Sequence, residues 1–313
     1  MARCVAVVLA LAAFVAPTAI ADGLPVLGVD VGSSGVAAPN GSIRYVTIPA
    51  GASTIVERVH RNGGEIIAST FYPGTFTIPA VAYDRSAGGL SGDRNTLVLI
   101  EPRTSFPRRT TTLLVLNART LTYRALVKLR GDFSFDAVSP AGRRIFLIQY
   151  TSSFDPTRYR VRSYDVSQGR LESEAVIDPR ATRESMRGNP LSRAASTDGR
   201  WAYTLYDGNG KPFLHALDTE EAQARCIDLN LAAGTVFSQL RLRMTDDGRA
   251  VNVSDRDQVL VTLDTRTLSP RTTPSSGMLR TPAFAILGLL LAGTLAVLTR
   301  HRWPSRRQPV PID

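Results

Sequence analysis

The sequence predicts an all-β fold of about five successive four-stranded sheets, followed by one transmembrane helix at the C-terminal end. Three observations carry this expectation. Two short landmarks recur in phase about every fifty residues. The segments between them read as strands of five to eight residues with turn signals about every ten, the pattern of antiparallel all-β domains. Residues 282–299 form an uncharged apolar run closed by arginines.

The N-terminus reads Met1-Ala2-Arg3, then an apolar run from Val5 to Val15, then Pro17 and Ala19-Ile20-Ala21. One positive charge, a short apolar stretch and an Ala-x-Ala site have the form of a secretory signal peptide. Cleavage is expected after Ala21, with Ala19 and Ala21 as the small residues of the site, so that residues 1–21 are removed. An N-terminal membrane anchor is the alternative, but the run is too short to span comfortably. Cys4 precedes the apolar run, which argues against a lipid anchor at the cleavage site.

Internal repetition organises residues 22–269. Leu116-Asn117-Ala118-Arg119-Thr120-Leu121 and Leu263-Asp264-Thr265-Arg266-Thr267-Leu268 agree at four of six positions, with Tyr164-Asp165-Val166 and Leu217-Asp218-Thr219 between them. The spacings are 48, 53 and 46 residues. A second landmark keeps the same rhythm: Ser139-Pro140-Ala141-Gly142, Ser196-Thr197-Asp198-Gly199 and Thr245-Asp246-Asp247-Gly248, with Ser91-Gly92-Asp93-Arg94 as a looser copy. Each copy is a turn, rich in residues that accept positive φ, leading into a strand. A unit therefore reads as an inner strand such as Phe133 to Val138, a turn, a second strand such as Ile145 to Tyr150 or Trp201 to Tyr206, a variable loop, a third strand ending in Leu-Asp-Thr, and a fourth such as Leu121 to Leu129. The first unit is degenerate, with strands expected at Tyr45 to Ile48, Thr54 to Val59 and Glu65 to Thr70 and a hairpin turn at Asn62-Gly63-Gly64. Thr77 to Tyr83 is expected to open the second unit as a strand. Helical periodicity is weak, confined to Glu220 to Arg225.

Turn-strand units ending in Leu-Asp-Thr-x-Thr resemble the YVTN-type and WD-repeat-like β-propellers of bacterial exported proteins. Ser139-Pro140-Ala141-Gly142 is similar to their Ser-Pro-Asp-Gly turn with alanine in place of aspartate, and Tyr45-Val46-Thr47 echoes the name-giving motif. The Trp-Asp dipeptide of WD repeats is absent, and five units fall below the six to eight usual in such proteins. The resemblance implies blades packed radially so that each hides its neighbour's apolar face. The alternative is a β-sandwich-like stack of sheets.

Residues 270–281, rich in Pro, Ser and Thr, read as a linker to the membrane. The run 282–299 has 18 residues, enough for a helix of about 27 Å against a hydrocarbon core of about 30 Å. Phe284, Ile286, Leu287, Leu289, Leu290, Leu291, Leu295, Val297 and Leu298 supply roughly −3 to −5 kcal/mol of insertion free energy. Arg300, Arg302, Arg306 and Arg307, with Trp303 among them, form a stop-transfer cluster that places residues 300–313 in the cytoplasm by the positive-inside rule. No Leu-Pro-x-Thr-Gly precedes the run, so it is expected to stay as a single-pass anchor with the sheets outside.

The chain is basic, with 37 Lys+Arg against 27 Asp+Glu. Five of those basic residues but only one acid lie in the two end segments, so the repeat region is only mildly basic and carries no dense Lys/Arg block. A nucleic-acid role is not expected.

Chemistry-bearing motifs are scarce. Gly89-Leu90-Ser91-Gly92-Asp93 breaks the Gly-x-Ser-x-Gly nucleophile pattern at its last position and falls on a repeat turn. His60, His215 and Cys226 are too few for a zinc site, and no metal or cofactor is expected. Cys226 lies in a strand and reads as a small buried hydrophobe. Asp207-Gly208-Asn209-Gly210 starts like a calcium loop, but Lys211-Pro212 ends the pattern and leaves a Gly-rich hairpin. Asp255 and Asp257 flank Arg256 in another. Asp84, Asp132 and Asp136 fall near the ends of inner strands, where a central channel would gather them. Tyr150, Phe154, Tyr159, Tyr203 and Tyr206 are either ligand-facing aromatics or sheet core. No catalytic residue is assigned.

The expected function is that of a membrane-anchored extracytoplasmic binding or scaffolding module of the cell envelope, with an envelope protein or polymer as partner. Loops of unequal length, Thr151 to Arg158 and Pro179 to Pro190, would carry specificity. The alternative is a propeller lactonase or hydrolase with a divalent metal in the channel.

Overall fold

The computed structural model describes residues 35–180 and 186–273. The signal-peptide site at Ala19 and Ala21, the apolar run 282–299, the arginine cluster and the linker from 274 onward lie outside the described residues, as do 181–185. Among the described residues no helix is long and apolar enough to cross a membrane.

Five antiparallel sheets follow one another along the chain. The first is β1 (Val36–Ala37), β2 (Ile43–Ala50), β3 (Ser53–His60) and β4 (Ile66–Pro73). The second is β5 (Thr96–Ile100), β6 (Thr110–Asn117) and β7 (Tyr123–Arg130). The third is β8 (Phe133–Val138), β9 (Arg144–Tyr150), β10 (Arg158–Asp165) and β11 (Arg170–Val176), with the short β12 (Met186–Arg187) also paired to β10. The fourth is β13 (Pro190–Ala195), β14 (Trp201–Tyr206), β15 (Phe213–Asp218) and β16 (Gln223–Asp228). A single 3₁₀ turn, Phe237–Gln239, leads into the fifth: β17 (Leu240–Met244), β18 (Ala250–Asp255), β19 (Gln258–Asp264) and β20 (Pro270–Thr272). Apart from β12, which pairs with β10, strand order within each sheet is sequential, so each is a meander.

The recurring sequence landmarks are recurring turns. Arg94, Gly142, Gly199 and Gly248 each donate a backbone hydrogen bond to the carbonyl three residues before, at 2.8–2.9 Å, and all four have positive φ. The hydroxyl that opens each turn accepts from the first amide of the following strand: Thr96 to Ser91, Arg144 to Ser139, Trp201 to Ser196 and Ala250 to Thr245. The second landmark is an Asx turn, in which a side-chain oxygen accepts from amides two or three residues on. Asn117, Asp165, Asp218 and Asp264 all do this.

Two strand expectations change. Thr77 to Tyr83 is not a continuous strand. Thr77 bridges Ile100 at one end of β5 and Leu90 bridges Leu97 at the other. Between them residues 79–88 leave the sheet as a tight hairpin closed by Gly88 N to Pro79 O and Val81 N to Ser86 O, both 2.8 Å. Pro79 has no amide to give to β5, which favours the departure at that point. The second sheet therefore keeps three strands. At the other end, the strand β20 takes in Pro270, Arg271 and Thr272, expected in the linker; Pro270 is tolerated on an edge strand. Around Glu220 to Arg225 the chain makes the Asx turn and enters β16 rather than a helix.

Four apolar cores lie between successive sheets. Val56, Leu97, Leu114 and Leu116 pack between the first and second. Val98, Leu113, Phe133 and Leu147 pack between the second and third. Phe146, Tyr159, Ala202 and Leu217 pack between the third and fourth. Tyr203, Leu214, Leu242, Val251 and Val261 pack between the fourth and fifth. Middle strands such as β6, buried on both faces, read as continuous apolar runs because neither side of the sheet meets water.

Candidate functional site

The hairpin 79–88 reaches across to the fourth sheet. Tyr83 N donates to Pro190 O at 2.9 Å and Asp84 N to Leu191 O at 3.2 Å. Asp84 caps its own turn through Ser86 N at 3.0 Å and accepts from the hydroxyl of Ser192. The same Ser192 oxygen accepts from Leu242 N at 2.9 Å. One hydroxyl thus ties the hairpin 79–88 to the fourth and fifth sheets.

The repeat turns also meet. Asp93 N donates to Pro140 O at 2.9 Å, and a Cβ added at Gly92 would stand 1.9 Å from Asp198 O. Glycine at 92 is therefore required by close approach of two backbones. Ser91, in the broken nucleophile pattern, donates to Asp93 Oδ1 at 2.6 Å and is a turn residue.

The three aspartates expected near inner-strand ends are all engaged, with Asp136 within β8, Asp132 just before it and Asp84 in the hairpin. Asp132 accepts from Arg103 Nε at 2.9 Å and Nη2 at 2.7 Å, and from Arg108 N at 3.0 Å. The Arg103 and Asp132 side chains are 1% and 3% exposed. Arg103 also donates to Ser134 Oγ at 2.9 Å and lies 4.9 Å over the ring of Tyr150. Burial, with the Arg103 charge beside it, brings Arg108 down to about 10. Asp136 is paired with Arg193 of β13, side chains 2% and 8% exposed, through Oδ1 and Nη2. Asp136 Oδ2 and Arg193 Nε are buried without a hydrogen-bond partner.

Four of the five named aromatics belong to the interior. Phe106, Tyr150, Tyr159, Tyr206 and Phe213 form a continuous row with ring centroids 5.1–6.4 Å apart. Tyr203 stacks on Trp201 at 6.1 Å. Phe154 is the exception, 94% exposed in the loop 151–158. His215 is buried edge-on to Tyr206, with neither ring nitrogen hydrogen-bonded, and burial lowers it to about 4. His60 is at the surface, 3.9 Å from Glu65. Cys226 is half-buried and free; its amide donates to Asp178 Oδ2 at 2.9 Å, and burial pushes its thiol up to about 11. Asp207 holds Asn189 through two hydrogen bonds of 2.8 Å, fixing the hairpin that began like a calcium loop. Among the described residues no group of three or more His, Cys, Asp or Glu is placed to hold a metal ion.

Two hollows border Asp136. A recess of about 260 Å³ is walled by residues 36–39, the glycine-rich segment 86–92, Phe135–Val138 of β8 and residues 193–202. A smaller hollow of about 20 Å³ lies between Asp136, Ser134, Tyr150, Tyr159 and Tyr206. Room for about one ordered water is what such a volume provides. Sequence reasoning placed the three aspartates near the centre but missed Arg103, Arg193 and Ser192, whose pairings run between sheets. One repeated signal was present: Gly74-Thr75-Phe76 and Gly131-Asp132-Phe133 each enclose a strand-opening threonine. Thr54 and Thr111 donate to the glycine carbonyl at 2.8 and 2.9 Å and accept from the phenylalanine amide.

No family model matches the chain, and no curated protein sequence matches it. Among solved structures it is similar to a putative TolB from Agrobacterium tumefaciens at 16% identity and a TM-score of 0.44, over 75% of this chain and 77% of that one. TolB from Acinetobacter baumannii is similar at 12% identity and a TM-score of 0.42, over 74% of this chain and 51% of that one. The β-propeller domain of Myceliophteria thermophila Cps50 (Swd1) is similar at 11% identity and a TM-score of 0.42, over 74% and 72% of the two chains.

Proposed function

We propose that this chain is a β-propeller-type binding or scaffolding module of the bacterial cell envelope, exported by its N-terminal segment and held at the membrane by the apolar run 282–299. The observation that carries the binding reading is the use made of the central charges. Asp84, Asp132 and Asp136 are bound to Ser192, Arg103 and Arg193, so they fasten loops and sheets together. Asp136, held this way, stands in the wall of the recess, and loops carried on a rigid scaffold are suited to binding. The export and anchoring part rests on the sequence signals at the two ends.

A photo-cross-linking amino acid at Thr197, an exposed position beside the recess, tests the reading in cells. One recurrent envelope partner captured from Thr197, and not from Glu174 on the edge strand β11, which does not line the recess, is the expected result. Capture of nothing above background at either position would overturn it. Alkaline extraction of membranes tests the anchor separately: the full chain should stay in the pellet, and a chain ending at Thr281 should not.

A further inference from the structure

We propose that the edge strand β4 pairs with β4 of a second copy of this chain, joining the two first sheets into one antiparallel sheet about a two-fold axis at Thr70. The inference is independent of the recess, the membrane anchor and the binding reading above.

β4 ends the first sheet, and among the described residues no strand pairs with its outer edge. The last strands of the other sheets carry the usual blocks against edge pairing. β7 has Arg124 and Lys128, β11 has Glu172 and Glu174, β16 has Arg225, and β20 is only three residues including a proline. β4 has no charged residue, and its Phe71 is 60% exposed.

The register follows from the ladder. Gly74 N donates to Ala52 O at 2.9 Å, and the pairing of β3 with β4 continues unbroken from there to Arg58–Ala68. Hydrogen-bonded and non-hydrogen-bonded pairs alternate along an antiparallel ladder, so Tyr72, Thr70 and Ala68 bond to β3. The amides and carbonyls of Ser69 and Phe71 therefore point to the open edge. Beyond Ala68 the register shifts and leaves Ile67 unpaired, while Pro73 has no amide to give. Regular pairing is thus confined to Ala68–Tyr72, whose midpoint is Thr70. An antiparallel copy centred there sets Ser69 opposite Phe71 of the second copy, and Phe71 opposite its Ser69, each pair exchanging two backbone hydrogen bonds. Centring on Ser69 or Phe71 instead would bring Ile67 or Pro73 into the ladder.

The side chains agree with this register. Small Ser69 leaves room for the Phe71 ring opposite it, and the two Phe71 residues become diagonal neighbours about 7–8 Å apart, within reach of aromatic side chains. A strand that meets its own copy brings each charge near its like. The run Ala68–Tyr72 has none, whereas β7 would oppose cation to cation. An uncharged edge also offers nothing by which a foreign strand would be selected by charge.

The test uses the full chain in detergent at low salt, with sedimentation equilibrium as the readout. The wild type should dimerise with a dissociation constant in the micromolar range. Phe71→Lys and Phe71→Glu, at an exposed position, should each weaken the dimer about tenfold while keeping the native circular dichroism. An equimolar mixture of the two should associate at least about threefold more tightly than either alone, because opposite charges then meet across the axis. Only pairing between copies predicts that recovery. Thr70→Cys should give a disulfide-linked dimer on oxidation of the same preparation. Opposed residues of a non-hydrogen-bonded pair have Cα atoms about 4.5 Å apart, within disulfide range. Glu174→Cys on β11 and the wild type should give none. A monomeric wild type, a dimer indifferent to both charges, a mixture without recovery or a Thr70→Cys chain that fails to cross-link would each overturn the inference. A foreign strand or this chain's own N-terminal segment on β4 would produce the first of these. Capture of an envelope partner from Thr197 by a monomeric wild type would sink this inference and leave the scaffolding reading standing.

Discussion

Ala141 stands where three equivalent turns carry aspartate. Asp93, Asp198 and Asp247 each accept from the hydroxyl that opens the turn, at 2.5–2.7 Å, and from the amide two residues on, at 3.0–3.1 Å. In the third sheet Ser139 opens the same turn, but alanine offers no carboxylate. Ala141 is exposed, so Ala141→Asp adds both hydrogen bonds without crowding. A gain of about 1 kcal/mol is expected, read as a raised urea midpoint at unchanged m-value. A related site is Ala222, at φ 54° in the turn between β15 and β16. The equivalent position in the third sheet is Gly169, at φ 65°. L-residues are strained there and glycine is not, so Ala222→Gly should stabilise by roughly 0.5–1 kcal/mol, and Gly169→Ala should cost about as much. Paired urea titrations of the two variants check both signs.

At the scale of elements, what was legible in the sequence is what is encoded locally. The hydroxyl-capped turns and the Asx turns are written in four to six consecutive residues, so their fifty-residue rhythm marks the sheets, and strands such as β8, β9 and β14 fall where the turns place them. The hairpin 79–88 is different. Its neighbours suit a strand, and only its pairing with Pro190 and Leu191, about a hundred residues away, shows that it leaves the sheet. The same holds for the site. Asp132 and Asp136 were visible as inner-strand carboxylates, while their partners Arg103 and Arg193 are two arginines among many until the sheets bring them in. The Arg103–Asp132 pair is completely enclosed, with Arg108 against the same carboxylate. Asp132→Ala leaves both guanidinium groups without their anion and should cost about 3–5 kcal/mol, whereas Asp132→Asn, which retains an acceptor oxygen, should cost less. Equal losses in denaturant titrations would mean that the charge contributes nothing beyond packing.

The described residues form a series of sheets with four apolar cores between successive ones, and the first and last sheets differ. The first sheet exposes Ile48 at 42% and Phe71 at 60%, joined through Ile55 by register. On the fifth, Arg243, Asn252, Thr262 and Arg271 share one row across the four strands. Among the described residues no apolar core joins these two sheets. The buried apolar clusters lie at the junctions of successive sheets, and the junction of the third and fourth contains a group that senses pH. His215 is buried there in a neutral state, its ring nitrogens unpaired, facing Tyr206 on β14, Asp136 and Arg193 on the inner strands, and Asp178 after β11. In the unfolded chain this histidine takes a proton near its ordinary value of about 6.5; in the folded chain it does so only near 4. Between those values the unfolded state holds the extra proton, so stability is full above about pH 6.5 and falls as the pH drops toward 4. The loss amounts to at most about 3 kcal/mol. His215→Leu removes both the titration and two unpaired polar atoms, so it should be near neutral at pH 7.5 and stabilising at pH 4.5. Urea unfolding of both proteins at the two pH values checks this. A wild-type protein equally stable at pH 4.5 and 7.5 would show that His215 is solvated or paired in the folded chain.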